Sequence, residues 1–124
     1  FKYFNYDEFD SPDEKGSGEK NMSDEFILLL DKARELASIP FKINSGFRSK
    51  KHNESLRARG FKAVKNSAHL KGLAADIRTR SSSDRFKIVD ALLRVGVTRI
   101  GIGKTFVHCD TDNTKTQELI WDYY

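Results

Sequence analysis

The stretch Ser67-Ala68-His69-Leu70-Lys71-Gly72-Leu73-Ala74-Ala75-Asp76-Ile77 contains the pattern that decides the fold of this chain. Its first part, up to Gly72, is rich in residues that favour tight turns and predicts a turn. Its second part, from Leu73 to Ile77, is apolar except for Asp76 and predicts a buried strand. Because a buried carboxylate without a partner is costly, we expect Asp76 to have one.

Two amphipathic helices are predicted, one on either side of this strand. The first covers 24–38: Ser23 is its N-cap, apolar residues recur at helical spacing, and Pro40 ends it. The second covers 84–95, is capped by Ser83 or a neighbouring serine, and ends at a glycine. The apolar faces are expected to comprise Phe26, Leu29, Leu30, Ala33 and Ala37 in the first helix, and Phe86, Val89, Leu92 and Leu93 in the second.

The remaining elements are short. Besides 73–77, strands are predicted over 41–44, 98–102, 105–110 and 118–123. A polar, exposed helix is predicted over 50–59, and an N-terminal arm and loop over 1–22. Two main helices, with three consecutive strands at the end of the chain, predict a small α+β fold with a mostly antiparallel sheet. We expect a single domain that covers 1–124.

The composition is that of one globular domain and excludes several classes of protein. Hydrophobic residues make up 38% and charged residues 32% of the 124 residues, which supports a single modest core. No apolar run approaches the ~20 residues of a membrane span, and no signal peptide is expected at the N-terminus. The single cysteine, Cys109, excludes an internal disulfide and a zinc site built on several cysteines.

Positive charge is concentrated in the middle of the chain. The net charge is +4; most of the Lys and Arg residues lie in 42–104, and most of the acidic residues lie in 1–40. We expect the central stretch to face an anionic partner. A nucleic acid is not the expected partner, because 48–71 contains no motif for reading bases.

Two histidines and two carboxylates are the candidates for chemistry. His69 lies in the turn, Asp76 on the strand that follows it, and His108 on a late strand. Two His and one carboxylate on a rigid scaffold are a plausible three-ligand zinc set, with the fourth position left for water or substrate. Strand alternation puts His108 and Asp110 on one face. It puts Cys109 on the other, where a free cysteine is a small apolar filler rather than a nucleophile.

Several segments of the chain resemble motifs of a known family. The segment from Ser67 to Asp76 matches the pattern S-x-H-x-x-G-x-A-x-D of the zinc D-Ala-D-Ala carboxypeptidase family, and Phe106-Val107-His108-Cys109-Asp110 resembles its second metal motif. The resemblance extends to Ser45-Gly46-Phe47-Arg48 and Trp121-Asp122-Tyr123. It therefore covers nearly the whole chain, which looks like the small, phage-type members of the family.

The resemblance implies an α+β fold whose antiparallel sheet carries Zn²⁺, bound by His69, Asp76 and His108. It implies hydrolysis of the peptide stem of bacterial peptidoglycan at a D-Ala-D-Ala or L-Ala-D-Glu type bond. Arg48 is then expected to hold a substrate carboxylate or to stabilise the oxyanion. Ser67 is expected to contact substrate or support a ligand, or else to cap the turn. A phage-type enzyme is expected to be a monomer, made in the cytoplasm of an infected bacterium or carried on a virion, that acts on the cell wall.

The chain departs from the family pattern at the catalytic base. Many relatives have Glu three residues before the last ligand or His two residues before it, whereas this chain has Thr105 and Phe106. Asp110 is the nearest candidate base, although it can instead orient His108. His52 is a more distant candidate. The alternative function is a catalytically inactive, zinc-stabilised module that binds the cell wall or a protein.

Overall fold

The structure is a computed structural model that describes all residues from 1 to 124. The helices are α1 (Ser17–Asn21), α2 (Asp24–Ala37), α3 (Lys50–Ala58) and α4 (Ser82–Arg94), with single 3-10 turns at Tyr6–Phe9 and Ala68–Lys71. The strands are β1 (Ile43–Ser45), β2 (Ala74–Arg78), β3 (Arg99–Ile102), β4 (Phe106–Asp110) and β5 (Leu119–Asp122). No helix combines the length and the apolar character that crossing a membrane requires.

All five strands form one sheet in the order β1-β2-β4-β3-β5. Neighbouring strands are antiparallel except β3 and β5, which are parallel. The predicted α+β fold with a mostly antiparallel sheet is therefore confirmed. Residues paired directly across strands share a face of the sheet. One such row consists of Ser45, Asp76, His108, Gly101 and Trp121.

The opposite face of the sheet carries the hydrophobic core. Ile77, Ile100 and Val107 are fully buried there, in one cluster with residues of α2 and α4. Cys109 belongs to the same cluster and has none of its surface exposed; burial raises the pKa of its thiol. It is therefore the apolar filler that strand alternation predicts, and the polar face of the sheet is left for a site.

The predicted apolar face of the last helix is partly wrong. The cap of α4 is Ser81, one of the neighbouring serines that the prediction allowed. The side chains that the helix buries are Ile88, Ala91 and Leu92. By contrast, Phe86 is 72% exposed and Leu93 49% exposed. Residues advance by about 100° per position in a helix, so a buried stripe centred on Ile88 turns Phe86 to the opposite side.

The first 22 residues are more regular than the predicted arm and loop. They contain a 3-10 turn and α1, and the carboxylate of Asp10 accepts hydrogen bonds from two backbone N–H groups at the start of α1. Phe4 and Phe9 are buried in the core. The carbonyl of Phe9 also accepts from the N–H of Phe47 at 2.8 Å, which fixes the segment after β1. A five-residue helix held by such tertiary contacts leaves no periodicity in the sequence.

Candidate metal centre

Three potential metal ligands come together on the polar face of the sheet. Asp76 and His108 are opposite each other on β2 and β4, and the 3-10 turn before β2 supplies His69. One donor atom from each residue lies within 4.8 Å of the other two. All three residues are buried. The structure thus brings together the three ligands predicted from the sequence, and the group is able to hold a metal ion.

The turn that carries His69 is fixed at both ends. Ser67 caps it, with its Oγ accepting from the N–H of His69 at 3.1 Å. Gly72 ends it with a φ of +70°, and a Cβ at this position would lie 2.0 Å from the carbonyl oxygen of Asn21. Only glycine satisfies both the left-handed φ and this close approach. α1, which ends at Asn21, therefore braces the turn, and the hydroxyl of Ser67 has the capping geometry that the sequence left open.

The tautomer of His69 follows from its outer hydrogen bond. Nδ1 lies 2.7 Å from the carbonyl oxygen of Gly46, which can only accept, so Nδ1 carries the proton. Nε2 is left with a lone pair, 3.3 Å from Oδ1 of Asp76. Burial lowers the pKa of His69 by more than Asp76 raises it, so the ring is neutral at pH 7. A neutral imidazole is the form that binds a metal.

His108 lies between two carboxylates. Nε2 of its ring is 2.7 Å from Oδ2 of Asp110, and Nδ1 is 2.9 Å from Oδ1 of Asp76. Burial lowers the pKa of His108, but the hydrogen bonds and charges of the two carboxylates outweigh burial and raise it. When Nε2–H donates to Asp110, Nδ1 is the ligating atom and is directed to the same carboxylate oxygen as Nε2 of His69.

The other oxygen of Asp110 is also engaged. Oδ1 accepts from Nε of Arg99 at 2.8 Å and from the backbone N–H of Asp112 at 3.1 Å. Burial raises the pKa of Asp110, but the contacts with His108, Asp112 and Arg99 together lower it, so the group is ionised at neutral pH. With both oxygens engaged and 2% of the residue exposed, this geometry favours the orienting role of Asp110 over that of a base.

Asp76 uses its two oxygens differently. Oδ1 faces the two histidines, and Oδ2 accepts from Nη2 of Arg48 at 3.1 Å. Burial opposes ionisation of Asp76, but the histidines outweigh it and hold the pKa well below its usual range. Nε of Arg48 donates to Oγ of Ser45 at 3.0 Å. Two contacts therefore hold the guanidinium of Arg48 against the centre.

A cleft of about 640 Å³ opens over these residues. It is lined by every site residue predicted from the sequence, namely Arg48, Ser67, His69, Asp76, His108 and Asp110. Its lining also contains apolar side chains, among them Leu56, Phe61 and Val64, and the cationic side chains of Lys62 and Lys115. The cleft thus combines apolar and cationic surface beside the three candidate ligands.

The positions at which relatives carry a base hold no proton acceptor here. Thr105 is exposed, and Phe106 packs against Tyr123 with 5.3 Å between ring centres. His52 lines the cleft, and burial lowers its pKa. His52 is not one of the three residues whose donor atoms converge, so it lines the cleft outside the candidate metal group.

Three contributors to the site have no role assigned from the sequence: the carbonyl of Gly46, Arg99 and Tyr123. Arg99 lies opposite Asp110 in the pairing of β3 with β4, and its guanidinium is 4.9 Å from the ring centre of Trp121. Tyr123 lines the cleft just beyond the end of β5. Both strands are visible as apolar runs in the sequence. These contacts depend on the order and register of the strands in the sheet, and a local sequence pattern does not specify either.

Comparison with known proteins gives one family and a structural relative. The model of the family Peptidase M15 matches residues 2–110. Among solved structures, the chain is similar to the crystal structure of the Serratia marcescens L-Ala D-Glu endopeptidase ChiX. The TM-score is 0.58, with 20% identity over 73% of this chain and 80% of that one. At this identity the likeness is one of fold. No curated protein sequence matches the chain significantly.

Proposed function

This chain belongs to the peptidase M15 family, and from that premise we propose that it is a zinc-dependent peptidase of the bacterial cell wall. The proposed reaction is hydrolysis of an amide bond in the peptide stem of peptidoglycan, at a D-Ala-D-Ala or L-Ala-D-Glu type bond. The observation that carries the proposal is the convergence of three electron-pair donors, from His69, Asp76 and His108, within 4.8 Å of one another.

The hydrogen bonds that each histidine makes on the side away from Asp76 determine which ring nitrogen is available to bind a metal. The oxygens of Gly46 and Asp110 each accept a hydrogen bond from the outer ring N–H, so the inner nitrogens of His69 and His108 become the ligating atoms. Both inner nitrogens are at most 3.3 Å from the same oxygen of ionised Asp76. A cation at this point would accept an electron pair from each of the three donor atoms. Two imidazoles and one carboxylate are a donor set that zinc takes in sites with an open fourth position.

Bound zinc supplies Lewis-acid polarisation of a carbonyl and a water of lowered pKa. The chain itself positions the substrate. Arg48 lines the cleft, its Nε and Nη2 are engaged by Ser45 and Asp76, and its Nη1 has no hydrogen-bond partner on the protein. We assign this nitrogen to a substrate carboxylate or to the amide oxygen that becomes negative. We assign Ser67 to the turn, because its hydroxyl is already engaged by the N–H of His69.

One observation favours a second function, a zinc-stabilised module that binds stem peptides without cutting them. Peptide hydrolysis needs a group that takes a proton from water and passes it to the leaving amine. Asp110 has both oxygens engaged, and His52 is outside the group of candidate ligands. Thr105 and Phe106 cannot accept a proton. The binding module and the peptidase therefore predict the same metal site and differ only in turnover.

The test is the release of new amino groups from purified peptidoglycan and from soluble stem peptides that contain both candidate bonds. Cleavage that stops with a chelator and returns with added zinc supports the peptidase, and mass spectra of the products name the bond. His69→Ala should lose zinc and cleavage together. The matched variant is His52→Ala, which should retain one zinc per chain because His52 is outside the metal cluster.

Two outcomes count against parts of the proposal. If the protein binds one zinc per chain and binds stem peptides but cuts none of them, the peptidase is contradicted and the binding module is supported. If His69→Ala folds and retains zinc at full occupancy, the ligand assignment is wrong.

A further inference from the structure

The backbone of Tyr123 is held in place at the end of the sheet. Its N–H donates to the carbonyl of Ile102 at 3.1 Å, and its own carbonyl accepts from Nζ of Lys62. The side chain lines the same cleft as the three candidate metal ligands. Tyr123 lies beyond residue 110, where the match to the family model ends. The resemblance to the family extends to Tyr123, but it assigns this residue no role.

The ring of Tyr123 is confined by its neighbours. Its centre is 5.3 Å from that of Phe106 and 6.2 Å from that of Trp121. Gly101 lies against the ring, and a Cβ at that position would be 2.7 Å from a ring carbon. Gly101 is paired with His108 in the sheet. The missing side chain at Gly101 is thus what lets the ring approach the row that holds a metal ligand.

The hydroxyl of Tyr123 is a hydrogen-bond donor whose proton has no acceptor on the protein. Burial raises the pKa of Tyr123 to about 12, so the group keeps its proton at neutral pH. A hydrogen bond from the indole N–H of Trp121 to the hydroxyl oxygen acts against burial and lowers the pKa, and so does the charge of Arg48; the charges of Asp76 and Asp110 raise it. The ring of Tyr123 packs against that of Trp121, and the ring centre of Trp121 is 5.5 Å from that of His108, so the Tyr123 side chain lies on the side of the cleft that holds this candidate ligand.

We propose that the Tyr123 hydroxyl donates a hydrogen bond to the oxygen of the scissile amide as that oxygen gains negative charge, an inference that rests on the proposed peptidase function. A donor fixed in advance by packing stabilises the tetrahedral state more than the ground state, so it raises kcat rather than lowering KM. Tyr123 keeps its proton throughout. Water adds to the amide carbon, the C–N bond then breaks, and the proton that water loses ends on the leaving amine, so one water is consumed and no further reactant is needed. The role is that of a catalytic residue beside Arg48 in the same cleft.

Tyr123→Phe tests the hydroxyl alone, because phenylalanine keeps the ring packed against Phe106 and Trp121. The matched control is Tyr124→Phe: Tyr124 is 64% exposed and does not line the cleft. On a stem peptide that the wild type cuts, Tyr123→Phe should lower kcat roughly 10²–10³-fold with little change in KM. Tyr124→Phe should leave both constants unchanged.

A second readout does not depend on turnover. A phosphinate analogue of the stem peptide, which mimics the tetrahedral state, should bind Tyr123→Phe more weakly by the same factor as the loss in kcat. A product peptide, which is not cut further, should bind wild type and variant equally. Zinc content should be the same in the wild type and both variants, and the thermal midpoint should change little, since the hydroxyl donates to no protein group and only accepts from Trp121.

The outcomes distinguish this inference from the function on which it rests. If the wild type cuts stem peptides and Tyr123→Phe cuts them as fast, the inference is overturned and the peptidase stands. A rise in KM with unchanged kcat overturns it as well, since Tyr123 then binds only the ground state. If the wild type cuts no stem peptide, both the proposed function and the inference fail. Loss of zinc from Tyr123→Phe assigns the residue a structural role and also contradicts the proposal.

Discussion

Replacing Asp110 with asparagine separates the two roles that a carboxylate beside His108 can have. Asp110 accepts hydrogen bonds from His108 at 2.7 Å, from Arg99 at 2.8 Å and from the backbone N–H of Asp112 at 3.1 Å. Asparagine has nearly the same shape, but it offers one acceptor oxygen and one NH₂ donor. In either orientation of the amide, Asp110→Asn therefore puts a donor where an acceptor is needed.

The two orientations differ in cost. If the NH₂ group faces Arg99, the buried guanidinium of Arg99 loses its carboxylate partner. Loss of one member of a buried ion pair typically costs about 3–5 kcal/mol of stability. Arg99 retains the carbonyl of Thr116 at 2.6 Å and the ring of Trp121, so the lower end of this range applies. If the NH₂ group faces His108, Arg99 still has a neutral oxygen acceptor and the loss of stability is smaller.

The orientation with the NH₂ group facing His108 is therefore expected, and it should weaken metal binding. With an NH₂ group opposite Nε2 of His108, that nitrogen must accept, the ring proton moves to Nδ1, and the lone pair that faces Asp76 is lost. Loss of such an orienting partner weakens metal binding roughly 10–100-fold. This range corresponds to about 1.4–2.7 kcal/mol of binding free energy.

The assay is competition for zinc with a chromophoric chelator, with the free energy of unfolding measured in parallel by circular dichroism. The matched control is Asp90→Asn on the exposed face of α4, which should leave zinc affinity unchanged. We expect Asp110→Asn to show the weakened affinity and a loss of stability below about 3 kcal/mol. If it instead binds zinc like the wild type and loses only kcat, Asp110 is the base and its orienting role is refuted.

Other changes test the framework of the site. Gly72→Ala must adopt a left-handed φ and displace Asn21, so it should lower the free energy of unfolding by about 2–4 kcal/mol. Gly60→Ala has a left-handed φ but open space around it and should cost about 1 kcal/mol; equal losses in urea titrations would contradict the bracing of the turn. Ser23→Ala removes the N-cap of α2, and a loss of about 1 kcal/mol in the same titration is expected; no loss would contradict the cap. Zinc at 100-fold above its Kd should raise the free energy of unfolding by about 2.7 kcal/mol, and a similar rise in His69→Ala would show that zinc binds elsewhere.

The candidate ligands are predictable from sequence because short-range geometry fixes them. The period of two along a strand puts His108 and Asp110 on one face and Cys109 on the other, and the structure has this arrangement. Asp76 stands out as the one charged residue in an apolar run. The helical period of 3.6 residues is a weaker guide to which side of a helix is buried, because that side is determined by packing against the rest of the core. Phe86, the largest apolar residue of α4, is therefore exposed.

The supports of the ligands are not predictable from the sequence because they come from distant segments. Arg99 reaches Asp110 only because β3 pairs with β4 in a register that puts the two residues opposite each other. The carbonyl of Gly46 reaches His69 because the carbonyl of Phe9 holds the next residue of that segment. Neither contact leaves a local pattern, since any polar residue at these positions would fit the same predicted strands and loops.

The charges of the candidate metal centre explain why both Arg48 and Arg99 are present. Asp76 and Asp110 contribute two negative charges and their partners Arg48 and Arg99 two positive ones, so the protein part of the centre is neutral when both histidines are neutral. A divalent cation bound there keeps its full charge in a buried environment, where screening by water and salt is weak. Without the arginines, the carboxylates would cancel that charge. In the peptidase proposed above, the ion pairs would therefore preserve the attraction for the negative charge that develops on an attacked amide oxygen, and for the carboxylates of a stem peptide.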